Sequence, residues 1–184
     1  MPINVDGTQM KVLKVDNTNM KKGYVDSSIM VYTADETIFE NGEVNPNVTL
    51  SNEWYIRTND LDGWGNLNCL CFETQATSHR DVTETAYIEF DCTDYESLSI
   101  DYVSIGWARY ASLEVWCGID SYSDYYWRLD MWNPDKNVYT KTFDISGLTG
   151  NHQFRIKQEV DNQSSDNTTV ASMGFIIKKM TAYV

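Results

Sequence analysis

From residue 53 to residue 183 the chain repeats one local signature: short segments in which an apolar side chain returns at every second position, parted by turn-forming residues. Leu113-Glu114-Val115-Trp116-Cys117 and Phe154-Arg155-Ile156-Lys157 show it most clearly. A period of two sends alternate side chains to opposite faces of a strand. Such a segment buries one face and wets the other, as an antiparallel sheet packed on one side requires. Strands are expected at 53–58, 66–73, 85–91, 98–105, 111–119, 125–132, 138–145, 152–160 and 172–183. No stretch carries a helical period. Turn clusters such as Asn133-Pro134-Asp135 and Ser146-Gly147-Leu148-Thr149-Gly150 separate the segments. The pattern predicts an all-β protein: an antiparallel β-sandwich, a jelly roll.

The opening of the chain is organised differently. Val5-Asp6-Gly7-Thr8-Gln9-Met10-Lys11, Val15-Asp16-Asn17-Thr18-Asn19-Met20-Lys21 and Val25-Asp26-Ser27-Ser28-Ile29-Met30-Val31 follow one another in ten-residue steps. Each copy sets turn-tolerant residues ahead of a short extended stretch, which reads as a β-meander. Strands of about five residues with few large side chains bury too little apolar surface to stand alone. The meander is therefore expected to dock on a neighbour, through Met10, Val12, Met20, Tyr24, Ile29 and Val31. The acidic, turn-rich stretch that follows reads as a linker. The expected plan is a meander anchor over 1–34, a linker over 35–47 and the jelly-roll sandwich over 48–184.

Charge and cysteine usage narrow the partners. With a net charge of −13 and no basic stripe, the chain would repel a phosphate backbone, so no nucleic acid is expected. No apolar run approaches a membrane span, and Met1-Pro2-Ile3 does not open a secretory signal, so no membrane partner is expected either. Cys69 and Cys71 share one face of a strand and cannot readily bridge each other. With Cys92 and Cys117 isolated, the spacing suits neither a disulfide scaffold nor a zinc site, and buried free thiols are expected.

Aromatic residues are the candidate working parts. In a strand over 125–132, Tyr126, Arg128, Asp130 and Trp132 share one face, while Tyr125, Trp127, Leu129 and Met131 share the other and read as core. The first set mixes ring platforms with charged groups, which suits a glycan site or a subunit interface; plain coverage of a sheet is the bland reading. Asp60, Asp62 and Asn66 lie in the Gly-rich stretch Asn59-Asp60-Leu61-Asp62-Gly63-Trp64-Gly65-Asn66 and offer hard oxygen ligands for a structural Ca²⁺. The stretch lacks the third acid and distal Glu of an EF-hand loop, and a polar turn is the simpler account. Apart from this ion no cofactor is expected. His79 and His152 sit in no nucleophile elbow, HExxH helix or Cys-His arrangement, and no enzyme is expected.

Two resemblances add to this. The segment order Ala86-Tyr87-Ile88-Glu89-Phe90, then Tyr95-Glu96-Ser97-Leu98-Ser99-Ile100-Asp101-Tyr102, then Phe143 to Gly150 leading into Gln153-Phe154-Arg155-Ile156, resembles jelly-roll domains of carbohydrate-binding modules and viral attachment proteins. The opening, with Met20-Lys21-Lys22-Gly23-Tyr24-Val25-Asp26 and Met30-Val31-Tyr32-Thr33-Ala34, resembles small structural proteins of tailed bacteriophages of Gram-positive hosts, although Asn17 and Ser27 stand where a turn glycine is usual. The resemblance implies a non-enzymatic virion structural protein made in the host cytoplasm. Its repeat would dock to capsid or tail, and its sandwich would project as decoration, fibre tip or host-surface adhesin. The implied partners are other virion proteins, a cell-surface glycan and further copies of the chain, as a trimer or symmetric array. The alternative is a carbohydrate-binding module of a secreted glycan-degrading system.

Overall fold

A computed structural model of the protein describes residues 13–15, 18–26, 29–58, 67–77, 80–107, 111–130, 137–163 and 170–184, which hold strands and turns and no helix. The strands are β1 (Leu13–Val15), β2 (Thr18–Asp26), β3 (Ile29–Ala34), β4 (Glu36–Glu40), β5 (Glu43–Val44), β6 (Thr49–Leu50), β7 (Trp54–Arg57) and β8 (Cys69–Thr77). They continue with β9 (Arg80–Asp91), β10 (Ser97–Trp107), β11 (Ala111–Ile119), β12 (Tyr125–Asp130), β13 (Tyr139–Asp144), β14 (Asn151–Asn162) and β15 (Val170–Tyr183).

The first three strands form an antiparallel sheet in the order β1-β2-β3. The hairpins close at the pairs Val15↔Thr18 and Asp26↔Ile29, so the second connection falls one position later in its ten-residue copy than the first. A register shift between Lys21 and Gly23 interrupts the β2–β3 ladder. Of the expected docking residues, Met20, Tyr24, Ile29 and Val31 lie in β2 and β3, while Met10 and Val12 fall outside the described residues.

The expected linker over 35–47 is corrected. Only Asp35 separates β3 from β4. β4 and β5 make a hairpin through Asn41 and Gly42, whose φ angles of 53° and 86° are those of a type I′ turn. β4 pairs with β15 at Thr181↔Thr37 and Met180↔Phe39; a one-residue bulge at Ile38 sends both Ile38 and Phe39 into the core, each 1% exposed. Two consecutive inward residues break the alternation that would have marked the strand. The surrounding acids are held at the rim, where Glu36 accepts hydrogen bonds from Asn45 and Tyr95 and Glu40 pairs with Lys179.

The remaining ladder is nested. β8 pairs with β15, β9 with β14, β10 with β13 and β11 with β12, so the chain is one long antiparallel ribbon doubled back at the β11–β12 connection. Rolling that ribbon brings β10 against β15 and β11 against β14. The product is two sheets, one with β13-β10-β15 flanked by β8-β7 and β4-β5, the other β12-β11-β14-β9-β6. This wrapped ribbon is a jelly roll, and the all-β sandwich read from the sequence is what the chain forms.

One core fills the space between the sheets, with Phe39, Phe72, Leu98, Leu113 and Phe154 fully buried in it. Burying side chains of this size stabilises by roughly 1.5–3 kcal/mol each. Tyr102 closes one region of it, stacked on Phe175 at 4.9 Å and hydrogen-bonded to Tyr125 at 2.7 Å, with Trp127 edge-on at 6.0 Å. Tyr125 and Trp127, partly buried, pack against the core from the strand face expected to turn inward. Cys69 and Cys71 do share a face; with Val103 and Ile176 they form a small buried cluster on the opposite side of β8 from Leu70 and Phe72. All four thiols are free and buried, and burial pushes those of Cys92 and Cys117 up to about 12.

Candidate binding face

The outer surface of the β12-β11-β14-β9-β6 sheet collects the aromatic and charged residues that the core leaves over. In β11, Leu113, Val115 and Cys117 point inward, so Glu114 and Trp116 point out. β12 pairs with β11 at Trp116↔Tyr126 and Glu114↔Arg128, which puts Tyr126 and Arg128 on the same outer face. β14 alternates with Phe154, Ile156 and Val160 buried, and so presents Arg155, Lys157 and Glu159 outward. The registers Trp116↔Lys157 and Lys157↔Thr85 complete a row across four strands. Three inter-strand steps make that row about 14 Å long.

Its centre is aromatic. The rings of Trp116 and Tyr126 lie 5.4 Å apart, inclined at 43°, and Tyr126 is 50% exposed. Lys157 Nζ sits 3.9 Å over the Trp116 ring. At a wet surface such a cation–π contact is worth only about 0.5–1 kcal/mol, so an incoming ligand can displace this flexible side chain. Beside the rings, Arg128 Nη1 donates to Glu114 Oε1 at 2.9 Å. Partial desolvation, followed by the hydrogen bond to Glu114, raises the pKa of the Tyr126 phenol and keeps it a neutral donor.

On one side of the row, planar polar groups are chained together: Arg155 Nε donates to Gln153 Oε1 at 3.0 Å, and Gln153 Nε2 to Glu89 Oε2 at 2.8 Å. On the other side the sheet turns acidic. Asp81 and Asp161 are cross-strand partners, and the hydrogen bond and repulsion between them raise the pKa of Asp81. The face thus grades from an amphipathic ring platform to polar flanks. A sugar uses such a surface by stacking its C–H face on the rings while its hydroxyls meet the planar groups.

Of the residues expected there, Tyr126 and Arg128 are on this face. Asp130 occupies the last position of β12, opposite Ser112, and Trp132 falls outside the described residues. The calcium candidates Asp60, Asp62 and Asn66 also fall outside them. Trp116, Glu114, Lys157 and Arg155 were not singled out for this face. Alternation alone places Trp116 outward, but joining it to Lys157 needs the register of two strands forty-one positions apart.

No family model matches the chain, and no curated protein does. Among solved structures, a two-domain esterase active on acetylated mannans, co-crystallised with mannopentaose, aligns at a TM-score of 0.39 and 11% identity over 81% of this chain and 36% of its own. The CBM51-2 and INT domains of Clostridium perfringens ZmpB align at a TM-score of 0.30 and 12% identity over 90% and 37%. The chain spans little more than a third of either. The name of the second of these includes a carbohydrate-binding module. At such scores the fold rests on its own strand order and the site on its own residues.

Proposed function

We propose that the protein is a carbohydrate-binding sandwich that acts by recognition rather than catalysis, with the Trp116–Tyr126 face as its glycan site. The observation that carries this reading is the outward-facing ring pair at 5.4 Å, the exposed Tyr126 and the half-buried Trp116 beneath Lys157, flanked within the same sheet by Arg128, Glu114 and Arg155. A phenol left in water beside an indole that only a flexible lysine covers gives a ring platform that ligand stacking can occupy once Lys157 is displaced. The row's length suits an oligosaccharide.

A glycan array checks this. Wild-type protein is expected to retain a defined set of oligosaccharides, and Trp116→Ala and Tyr126→Ala are each expected to weaken retention at least tenfold, ~1.4 kcal/mol. Tyr55→Ala serves as control, since Tyr55 is also exposed but lies on β7 in the other sheet. Undiminished retention in both face variants would remove this site.

A second reading is favoured by the junction at Asp35. Because β3 passes into β4 through that one residue, a partner gripping the meander holds the sandwich on a short tether. Such a module can serve as the decoration, fibre tip or adhesin of a virion, in symmetric copies. A protein lacking residues 1–34 is then expected to keep glycan binding and to drop out of particles; its incorporation at full level sinks the virion reading.

A further inference from the structure

The strands that end the two sheets of the sandwich differ in how they meet water. A terminal strand presents unpaired N–H and C=O groups that another chain can join, and proteins blunt such edges with short strands, charges or bulges. Here β5 and β6 hold two residues each and β7 holds four. β13 carries Lys141 at an inward position, opposite Ile100, with its ammonium 4.8 Å from the centre of the Tyr125 ring. The stretch of β9 that β6 leaves unpaired carries Glu84 at an inward position, opposite the buried Gln158. β12 has none of these devices. It runs for six residues without a proline or a lysine, and its inward Tyr125 and Trp127 bear no charge.

The direction of its free groups follows from the hydrogen bonds at the end of β11. Asp120 N donates to Gln153 O, towards β14, whereas Ile119 N donates to Asp124 Oδ2, on the side of β12. Residues alternate along a strand in the neighbour they bond, so the odd-numbered residues of β11 bond to β12. Through the register Val115↔Trp127 the odd-numbered residues of β12 bond back. Tyr126, Arg128 and Asp130 therefore turn their N–H and C=O groups outward, along an edge where the Tyr126 side chain is 50% exposed.

We propose that β12 is the docking edge for a second copy of this chain, paired antiparallel about a twofold axis at Trp127. The partner offers the same edge, so even-numbered residues must meet even-numbered ones. Centred on Arg128, such a ladder would oppose two guanidinium groups, which is destabilising. Centred on Tyr126, it would run past Tyr125, where β12 begins. Centred on Trp127, it sets Tyr126 opposite the partner's Arg128 on both sides of the axis, a ring beside a cation. The five strands of the outer sheet then continue into the partner's five. Each copy has a net charge of −13, a repulsion that salt screens. Where the proposed glycan site also holds, the two Trp116–Tyr126 platforms share one face and one long glycan can engage both.

Cysteine pairing in the full chain reads the register. The Cα atoms of Tyr126 and the partner's Arg128 stand about 5.5 Å apart in this ladder, within disulfide reach, while Tyr126 and the partner's Tyr126 are about 8 Å apart and out of it. Tyr126→Cys and Arg128→Cys are mixed at moderate salt under mild oxidation. A disulfide-linked heterodimer is expected from the mixture, at least fivefold above either variant alone. The native thiols are buried and stay out of the reaction. Tyr55→Cys mixed with Arg128→Cys gives the background of random collision, since Tyr55 is exposed on β7. Sedimentation equilibrium of the wild type is expected to show dimers growing with concentration. A yield no higher than in that control or in the single variants overturns the proposal, as does a wild type that stays monomeric throughout the series. Neither readout involves a glycan, so a failed pairing leaves the aromatic face standing, and a failed glycan array leaves the pairing standing.

Discussion

Gln158 and Asn162 sit at inward positions of β14 where the alternation calls for apolar side chains, and both are fully buried. Their amides reach the neighbouring sheet: Gln158 Nε2 donates to Phe72 O at 3.2 Å and to Thr74 Oγ1 at 2.6 Å, and Asn162 Nδ2 to Ala76 O at 2.9 Å. β7 pairs with β8 only as far as Phe72, so these side chains stand in for a strand that does not continue. A buried carbonyl left without a donor costs about 1–3 kcal/mol. Asn162→Leu is therefore expected to lower stability by about that amount, read as a shifted urea midpoint at unchanged slope. Gln158→Leu is expected to cost less, because it also deletes Gln158 Oε1, a buried acceptor that has no partner. The reverse order would show that the clamp does not work through carbonyl satisfaction. Sequence alone flags both residues only as interruptions of a period; their purpose lies in β8, some eighty positions away.

Among the elements, β4 is where sequence and structure part most. Its hairpin carries a strong local signal, Asn41-Gly42 between extended residues, yet the acids around it and the bulge at Ile38 disguise a core strand as a linker. A fragment of residues 35–184 is expected to melt cooperatively near the full chain, whereas 41–184 loses Ile38 and Phe39 from the core. Large-to-small changes at single such positions cost about 2–5 kcal/mol, so removing both along with their ladder should leave a fragment that does not fold on its own. Calorimetry of the two fragments decides; equal melting would place β4 outside the cooperative unit. The strands from β7 onward were more legible. β11 matches its expected bounds, and β9 and β14 simply run further than their apolar positions showed.

At the scale of the molecule, the connections β9–β10, β11–β12 and β13–β14 are tied to one another at one end. Asp120, following β11, accepts from Gln153 N at 2.9 Å and pairs with His152 Nδ1 at 2.6 Å, while Gly150 N donates to Thr93 Oγ1. The hydrogen bond to Asp120 raises the pKa of His152 above 6.5. Burial alone would raise that of Asp120, but His152 and the Gln153 amide outweigh it and bring it below 3.8. The stabilisation from His152 is fully present below its unfolded value and is lost as pH rises through the raised one. That from Asp120 is present above its unfolded value and is lost as pH falls through the lowered one. Stability from the pair therefore peaks between the two and declines on both sides. With side chains 23% and 48% exposed it amounts to under about 1 kcal/mol. Urea midpoints against pH should show this hump in the wild type and flatten in Asp120→Asn; an identical profile would mean the tie is not formed in solution. The sequence by itself determined the all-β class, the positions of most strands and which side of each faces water, because period-two alternation and turn chemistry act within a few residues. Only the tertiary structure decided which strands become neighbours, where bulges fall, and hence that Lys157 lies on Trp116. Those outcomes depend on registers between segments distant in the chain, and a shift of one residue in any of them would turn the same side chains to the other face.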